Sequence, residues 1–139
     1  MIVFDTDHVS VLAKPGPRAD RLNERRANSP DQTFAITIIS VEEQMRGWLA
    51  EIRRRHKVSQ QLNAYAHLGE LTTFWAWWKI LPFNEAAAVR FQSLRREVQI
   101  GSQDLKIASI ALVYRAKLVT ANTVDFERVP GLEIEDWLD

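Results

Sequence analysis

Four carboxylates stand where a folded chain can bring them together: Asp5, Glu43, Asp104 and Asp125. Asp5 directly follows the apolar run Met1-Ile2-Val3-Phe4. Glu43 lies one turn beyond a second β-rich run at residues 34–39. Asp125 comes five residues after a later run at 117–120, the fourth of the chain, and Asp104 falls in the first turn of the helix leading into that run. Ligands of an open parallel α/β sheet bind outside the carboxyl ends of the strands. Asp5, Glu43 and Asp125 therefore share one edge by topology, and Asp104 joins them if its helix starts there. Carboxylates gathered in this way repel one another unless a cation or protons neutralise them. An all-oxygen set, with no His or Cys at ligand spacing, favours Mg²⁺ or Mn²⁺ over zinc. A metal so held activates water and stabilises charge on a phosphoryl oxygen. The chemistry this predicts is phosphodiester hydrolysis, with room for one or two ions.

Each acid also has a purely structural reading. Asp7 is most simply the N-cap of a short helix. Glu43 completes a Ser-x-x-Glu capping box with Ser40. Asp104 suits the dipole of a first helical turn, and Asp125 lies in Asn122-Thr123-Val124-Asp125, where Asn122 can cap a turn. Asp5 is the hardest to explain this way, because a carboxylate closing a buried strand is costly without partners. It is the shared edge that argues for function.

The elements that must position these acids alternate between strand and helix. Apolar runs predict strands at 1–4, 34–39, 79–83, 117–120 and 132–134. Helices are expected from Asp7 to the Lys14-Pro15-Gly16-Pro17 stop, over 18–28, from Ser40, over 58–78, from an Asn84 cap to Val98, and from a Ser102 cap. This order predicts a three-layer α/β/α fold with a mainly parallel five-stranded sheet, in one domain over 1–139.

A chain of 139 residues can bury such a core without disulfides. Cysteine is absent, which excludes thiol chemistry and Cys zinc sites and suits a reducing cytoplasm. No basic leader and no apolar window of about 20 residues is present, so a soluble cytoplasmic protein without membrane association is expected. The 18 basic and 18 acidic residues balance, which counts mildly against a nucleic-acid binder. Local basic runs remain, one over Arg46, Arg53, Arg54, Arg55, His56 and Lys57 and another over Arg90, Arg95 and Arg96. They read either as solvated helix faces or as phosphate contacts beside the acids.

Four blocks in order resemble the PIN-domain ribonucleases, specifically the VapC toxins of bacterial toxin–antitoxin systems. Phe4-Asp5-Thr6-Asp7 is similar to the family's strand-Asp-Thr-Asn opening. Ser40-Val41-Glu42-Glu43 with Gly47 resembles its Ser/Thr-x-x-Glu block and selects Glu43 over Glu42. Ile100 to Ala108 resembles the block in which an Asp opens a helix. Leu118 to Phe126 resembles the closing Val-Thr-x-Asn-x-x-Asp-Phe signature, and the stretch from Val129 to Trp137 resembles the tail. The likeness runs nearly end to end and is weakest over 50–99. Asp7 stands where the family usually has Asn, and Ala121 where it often has Arg. The resemblance implies an RNA-cleaving site of Asp5, Glu43, Asp104 and Asp125. Asp5 and Asp104 would be the principal Mg²⁺ or Mn²⁺ ligands, with Glu43 and Asp125 supporting a second ion or orienting water. Thr6, Ser40, Thr120 and Asn122 would hydrogen-bond the carboxylates. It further implies a homodimer and a cognate VapB-like antitoxin whose C-terminal segment blocks the site.

Two other readings use the same residues. Asp5-Thr6-Asp7 after a strand also fits the Asp-x-Asp opening of haloacid-dehalogenase-like phosphotransferases, with Asp5 as nucleophile. That mechanism needs a later acidic metal motif, which the sequence lacks. A non-catalytic PIN-like binding module would typically have lost one or more of the four acids. Finally, helical periodicity gathers Ala64, Leu68, Leu71, Trp75 and Trp78 on one face and leaves Trp77 on the polar side. Trp77 is thus a candidate partner contact, unless the helix ends early and tucks it under a loop.

Overall fold

The computed structural model describes residues 1–138. Five short strands form one sheet: β1 (Ile2–Phe4), β2 (Phe34–Thr37), β3 (Lys79–Leu81), β4 (Lys117–Val119) and β5 (Ile134–Glu135). Their order is β3-β2-β1-β4-β5, and every pairing is parallel. Strand β1 is central, with Val3 opposite both Ala35 and Leu118. The helices are α1 (Thr6–Leu12), α2 (Pro17–Ala27), α3 (Ile38–Arg54), α4 (Val58–Trp75), α5 (Glu85–Leu94), α6 (Ser102–Val113) and the single turn α7 (Thr123–Phe126).

Alternation along each strand sends side chains to opposite faces of the sheet. Val3, Ala35 and Leu118 pack with Ala87 and Leu94 of α5 and with Leu105, Ile107, Ala108 and Ile110 of α6. Ile2, Phe4, Ile36 and Val119 pack on the other face with Val9, Leu22, Leu71, Trp75 and Trp137. A separate core on each face gives the three-layer α/β/α architecture expected from the sequence. Burial on both faces is also why the central strands read as continuous apolar runs.

Several boundaries differ from expectation, each for a local reason. Asp5, not Asp7, caps α1: its Oδ1 accepts from Thr6 N at 2.8 Å, so strand passes into helix without a loop. Helix α3 begins at Ile38, because the Thr37 side chain accepts from Ser40 N at 3.2 Å. The β-branched pair Ile38-Ile39 is therefore helical, and Ser40 lies inside the helix rather than heading a capping box. Asn84 does cap α5 through Ala87 N, but that helix stops at Leu94. Gly101, not Ser102, is the N-cap of α6. Strand β5 starts two residues late, since Gly131 turns the chain at φ 79° and Leu132 N is still bonded to Val129 O. No helix among the described residues is long and apolar enough to cross a membrane.

Candidate active site

The carboxyl ends of β1, β2 and β4 each deliver polar side chains to one edge. Asp5 ends β1 and is buried, 6% exposed. Its Oδ1 accepts from Thr6 N, and its Oδ2 accepts from Thr120 Oγ1 at 2.8 Å, just beyond β4. Glu43 comes from the second turn of α3, six residues past the end of β2. Thr6 Oγ1 stands 2.9 Å from both Ser40 Oγ and Glu43 Oε2. A hydroxyl carries one hydrogen, so the arrangement satisfying all three has Ser40 donating to Thr6 and Thr6 donating to Glu43. Asp104 projects from the first turn of α6 and Asp125 from α7. Asn122 Nδ2 bridges them, donating to Asp104 Oδ2 at 3.3 Å and to Asp125 Oδ2 at 3.1 Å. The helix start that Asp104 required is thereby met. All eight residues singled out in the sequence, the four acids with Thr6, Ser40, Thr120 and Asn122, lie in this one hydrogen-bonded edge.

Electrostatically the edge is under-neutralised. Burial, reinforced by Asp7 and Asp104, pushes the Asp5 carboxyl up to about 6 from its ordinary 3.8, despite hydrogen bonds from Thr120 and Thr6. Glu43 is raised by burial and by Asp104, against its hydrogen bond from Thr6. Asp104 is raised by burial and by Asp125, with the Asn122 hydrogen bond opposing. Among the described residues none of Asp5, Glu43, Asp104 and Asp125 forms an ion pair. Arg46 acts on Glu43 only weakly, and carboxylates raised by burial and by neighbouring acids, with no ion pair of their own, are the donor set expected of a divalent cation. Among the described residues no three such side chains converge closely enough to ligate one ion together. Mg²⁺ is commonly held by only one or two carboxylates plus water, so the residues fit that ion.

Glu42, by contrast, is exposed and already engaged. It accepts from Gln103 Nε2 at 2.8 Å and pairs with Arg46 at 2.5 Å, and these bonds hold it below the usual range. The basic runs stay on solvated faces: Arg54 and Arg55 both pair with Glu51, and Arg95 lies over the Phe91 ring.

Two residues at the edge have a role that sequence reasoning missed. Asp7 Oδ1 accepts from His8 N at 2.7 Å and from His8 Nδ1 at 2.6 Å, while Asp7 Oδ2 accepts from Ala121 N at 2.9 Å. Burial opposes ionisation of Asp7, but the bonds from His8 and Ala121 outweigh it and hold its carboxyl low. Both oxygens being occupied, Asp7 is poorly placed to serve as the free acid–base partner of a nucleophilic Asp5. His8 is fully buried, and its Nε2 accepts from Trp137 N at 3.1 Å. The only sequence signal for this arrangement was the Asp7 departure itself. Trp77, meanwhile, stands 86% exposed in the turn after α4. The helix does end early, at Trp75, yet Trp77 does not tuck away.

This geometry can be set beside known proteins. Residues 2–132 match the PIN domain family. The chain belongs to that family. Among curated relatives, this PIN domain is 33% identical over 94 residues to ribonuclease VapC2 of Rickettsia felis, covering 64% of this chain and 69% of that one. It is 25% identical over 138 residues to a ribonuclease VapC of Rickettsia bellii, covering 96% and 93%. Among solved structures, it superposes on a chain of Rickettsia felis VapBC2 bound to a promoter DNA fragment with a TM-score of 0.71 and 28% identity, covering 99% of each chain. The PIN resemblance and the fold read from the sequence are thus both upheld.

Proposed function

We propose that this chain is an endoribonuclease dependent on Mg²⁺ or Mn²⁺ and that it acts as the toxin of a VapBC-type toxin–antitoxin pair. The observation that carries the reading is the carboxyl edge itself: three acids raised by burial and by neighbouring carboxylates, with no ion pair to neutralise them. Its relatives bear the names of VapC ribonucleases, and a VapBC complex shares its fold. Asp5 and Asp104 would hold the ion, which when bound supplies Lewis-acid stabilisation of charge on the phosphoryl group. Thr120 and Asn122 fix the two carboxylates by hydrogen bonds. Glu43 has Oε2 tied to Thr6, leaving Oε1 to take the proton of the attacking water, a task suited by its raised pKa. Asp125, across Asn122 from Asp104, orients that water or supports a second ion. The active form would be a cytoplasmic homodimer restrained by a VapB-like antitoxin, with Trp77 among the partner contacts.

The test compares wild type with Asp5→Asn and Asp104→Asn on single-stranded and structured RNA, with Mg²⁺ or Mn²⁺ and then with EDTA. Cleavage is expected only from metal-replete wild type. Metal-independent cleavage by all three proteins, or metal binding without RNA turnover across a broad panel, would remove the proposal.

A further inference from the structure

On one side the acid edge continues into a shallow cleft lined by Thr6, Glu43 and Gly47, together with Ser10, Gln44 and Trp48. The last three also line an adjoining cavity of about 340 Å³ between α1, α3 and α4. Its aromatic wall is flat: Trp48 of α3 and His67 of α4 stack with ring centroids 4.4 Å apart and planes 12° apart, and Phe74 also lines it. Its polar groups are fixed. Gln44 Oε1 accepts from Trp75 Nε1 at 3.0 Å, and Gln44 Nε2 donates to Ser10 Oγ at 3.4 Å. One amide hydrogen of Gln44 is left for an incoming acceptor. Lys14, exposed and in no ion pair among the described residues, also lines the cavity, as does Glu70, whose carboxylate lies 3.4 Å from His67 Nδ1, and Glu51 borders the cleft.

Gly47 adds an independent clue. It is an exposed residue inside α3, where glycine is the costliest choice short of proline. A side chain there would meet nothing of this molecule within 4 Å. Nothing within the fold calls for glycine at this position, and its bare backbone leaves room for a ligand to pass close to the helix, between Glu43 and Trp48.

We propose that the cavity is a nucleobase subsite. One unstacked base of single-stranded RNA enters it, and the strand crosses Gly47 to bring the adjoining phosphodiester to the carboxylates. The inference rests on the RNA-cleaving reading above and adds where that substrate is gripped. A cavity of this size is ample for one base. Flat aromatic walls are how unpaired bases are held, by stacking and in-plane hydrogen bonds. Glu43 and Gln44 are neighbours on one helix, so a base on Gln44 places its own backbone beside Glu43.

The test uses the four homopolymeric oligoribonucleotides and an abasic ribose-phosphate oligomer of equal length, bound to the Asp104→Asn protein so that RNA stays intact. At least one homopolymer is expected to bind roughly 10-fold or more tightly than the abasic oligomer. That advantage should vanish when Trp48→Ala or Gly47→Gln is added and return with Trp48→Phe. Gly47→Gln keeps α3 helical, so loss of binding in that protein reports blockage rather than unfolding. If all four homopolymers bind like the abasic oligomer, or if Trp48→Ala keeps the advantage, the cavity is no base subsite. A protein side chain as its true occupant would give the first of those results. Base-dependent binding without metal-dependent cleavage by wild type sinks only the nuclease reading. Metal-dependent cleavage with unchanged kinetics in Trp48→Ala sinks only the subsite.

Discussion

Asp7 and His8 share one set of hydrogen bonds that spans the whole chain. Because Trp137 N–H donates to His8 Nε2, the ring must carry its proton on Nδ1, and it gives that proton to Asp7 Oδ1. Asp7 in turn anchors Ala121 N, between Thr120, which bonds Asp5, and Asn122, which bridges Asp104 and Asp125. His8 is therefore a positioning residue, acting on the carboxylates through others. His8→Phe preserves a ring but strips both ring bonds, leaving the Trp137 N–H without its partner and Asp7 Oδ1 with only the backbone N–H of residue 8. It should lower stability by about 2–4 kcal/mol in urea denaturation and lower kcat for RNA about 10-fold with KM unchanged. His8→Asn, which retains a donor toward Asp7, should recover part of that kcat. A full kcat in His8→Phe would show that the relay positions nothing. Asp5, Glu43 and Asp125 were legible in the sequence because the strand ends share one edge, and Asp104 on the condition that its helix starts there. His8 was not, since its partner lies 129 residues away and no local pattern announces it.

Helix starts were the least legible feature at the level of elements, and α3 shows why. Ile36-Thr37-Ile38-Ile39 is a β-branched stretch that propensity assigns wholly to strand. The buried Thr37 hydroxyl instead accepts from Ser40 N and turns the chain into helix three residues early. A side-chain cap and a strand residue look alike until the backbone is seen. Ser40 is thus freed from capping and can support Thr6 and Glu43. Thr37→Val, nearly isosteric, should cost about 1 kcal/mol through the lost cap, read as a lower urea midpoint at unchanged slope. Since α3 carries Glu43, RNA cleavage should fall as well. An unchanged midpoint would mean that the cap contributes nothing measurable. The parallel sheet was readable in outline for the opposite reason: strands buried on both faces show as plain apolar runs. At Asn122 the sequence indicated only a capped turn, because four residues are too few for helical periodicity to register, and the Asn122 side chain in fact makes no cap bond to α7.

At the scale of the whole molecule, two properties extend beyond any single contact. The first is the exposed Trp77. Trp77→Ser touches no core residue, so stability should change by less than about 0.5 kcal/mol and RNA cleavage should persist. Inhibition by the antitoxin should weaken, as measured by titrating cleavage with the partner; equal inhibition of both proteins would remove Trp77 from that interface. The second is the dependence of folding on pH. Asp5 titrates near 6 when folded against an ordinary 3.8, so between those values the folded state binds more protons than the unfolded one. Its burial therefore destabilises the metal-free protein above pH 6, by on the order of 3 kcal/mol. The penalty is relieved as pH falls from 6 toward 4, and Glu43 and Asp104 act in the same direction. Asp7 acts oppositely, its low carboxyl contributing stability that is lost only in stronger acid. Metal-free protein should thus melt at a higher temperature at pH 5 than at pH 7.5. A divalent cation binds the ionised carboxylates, so Mg²⁺ at 100 times its dissociation constant should add about 2.7 kcal/mol at pH 7.5 and much less at pH 5. Scanning calorimetry at both pH values, with and without Mg²⁺, reads all four states. Asp5→Asn, whose amide can still cap α1, should flatten the pH dependence and blunt the response to Mg²⁺. Metal-free protein that is more stable at pH 7.5, or Mg²⁺ stabilisation that is equal at both pH values, would mean that the carboxyl edge is neither strained nor the seat of the ion.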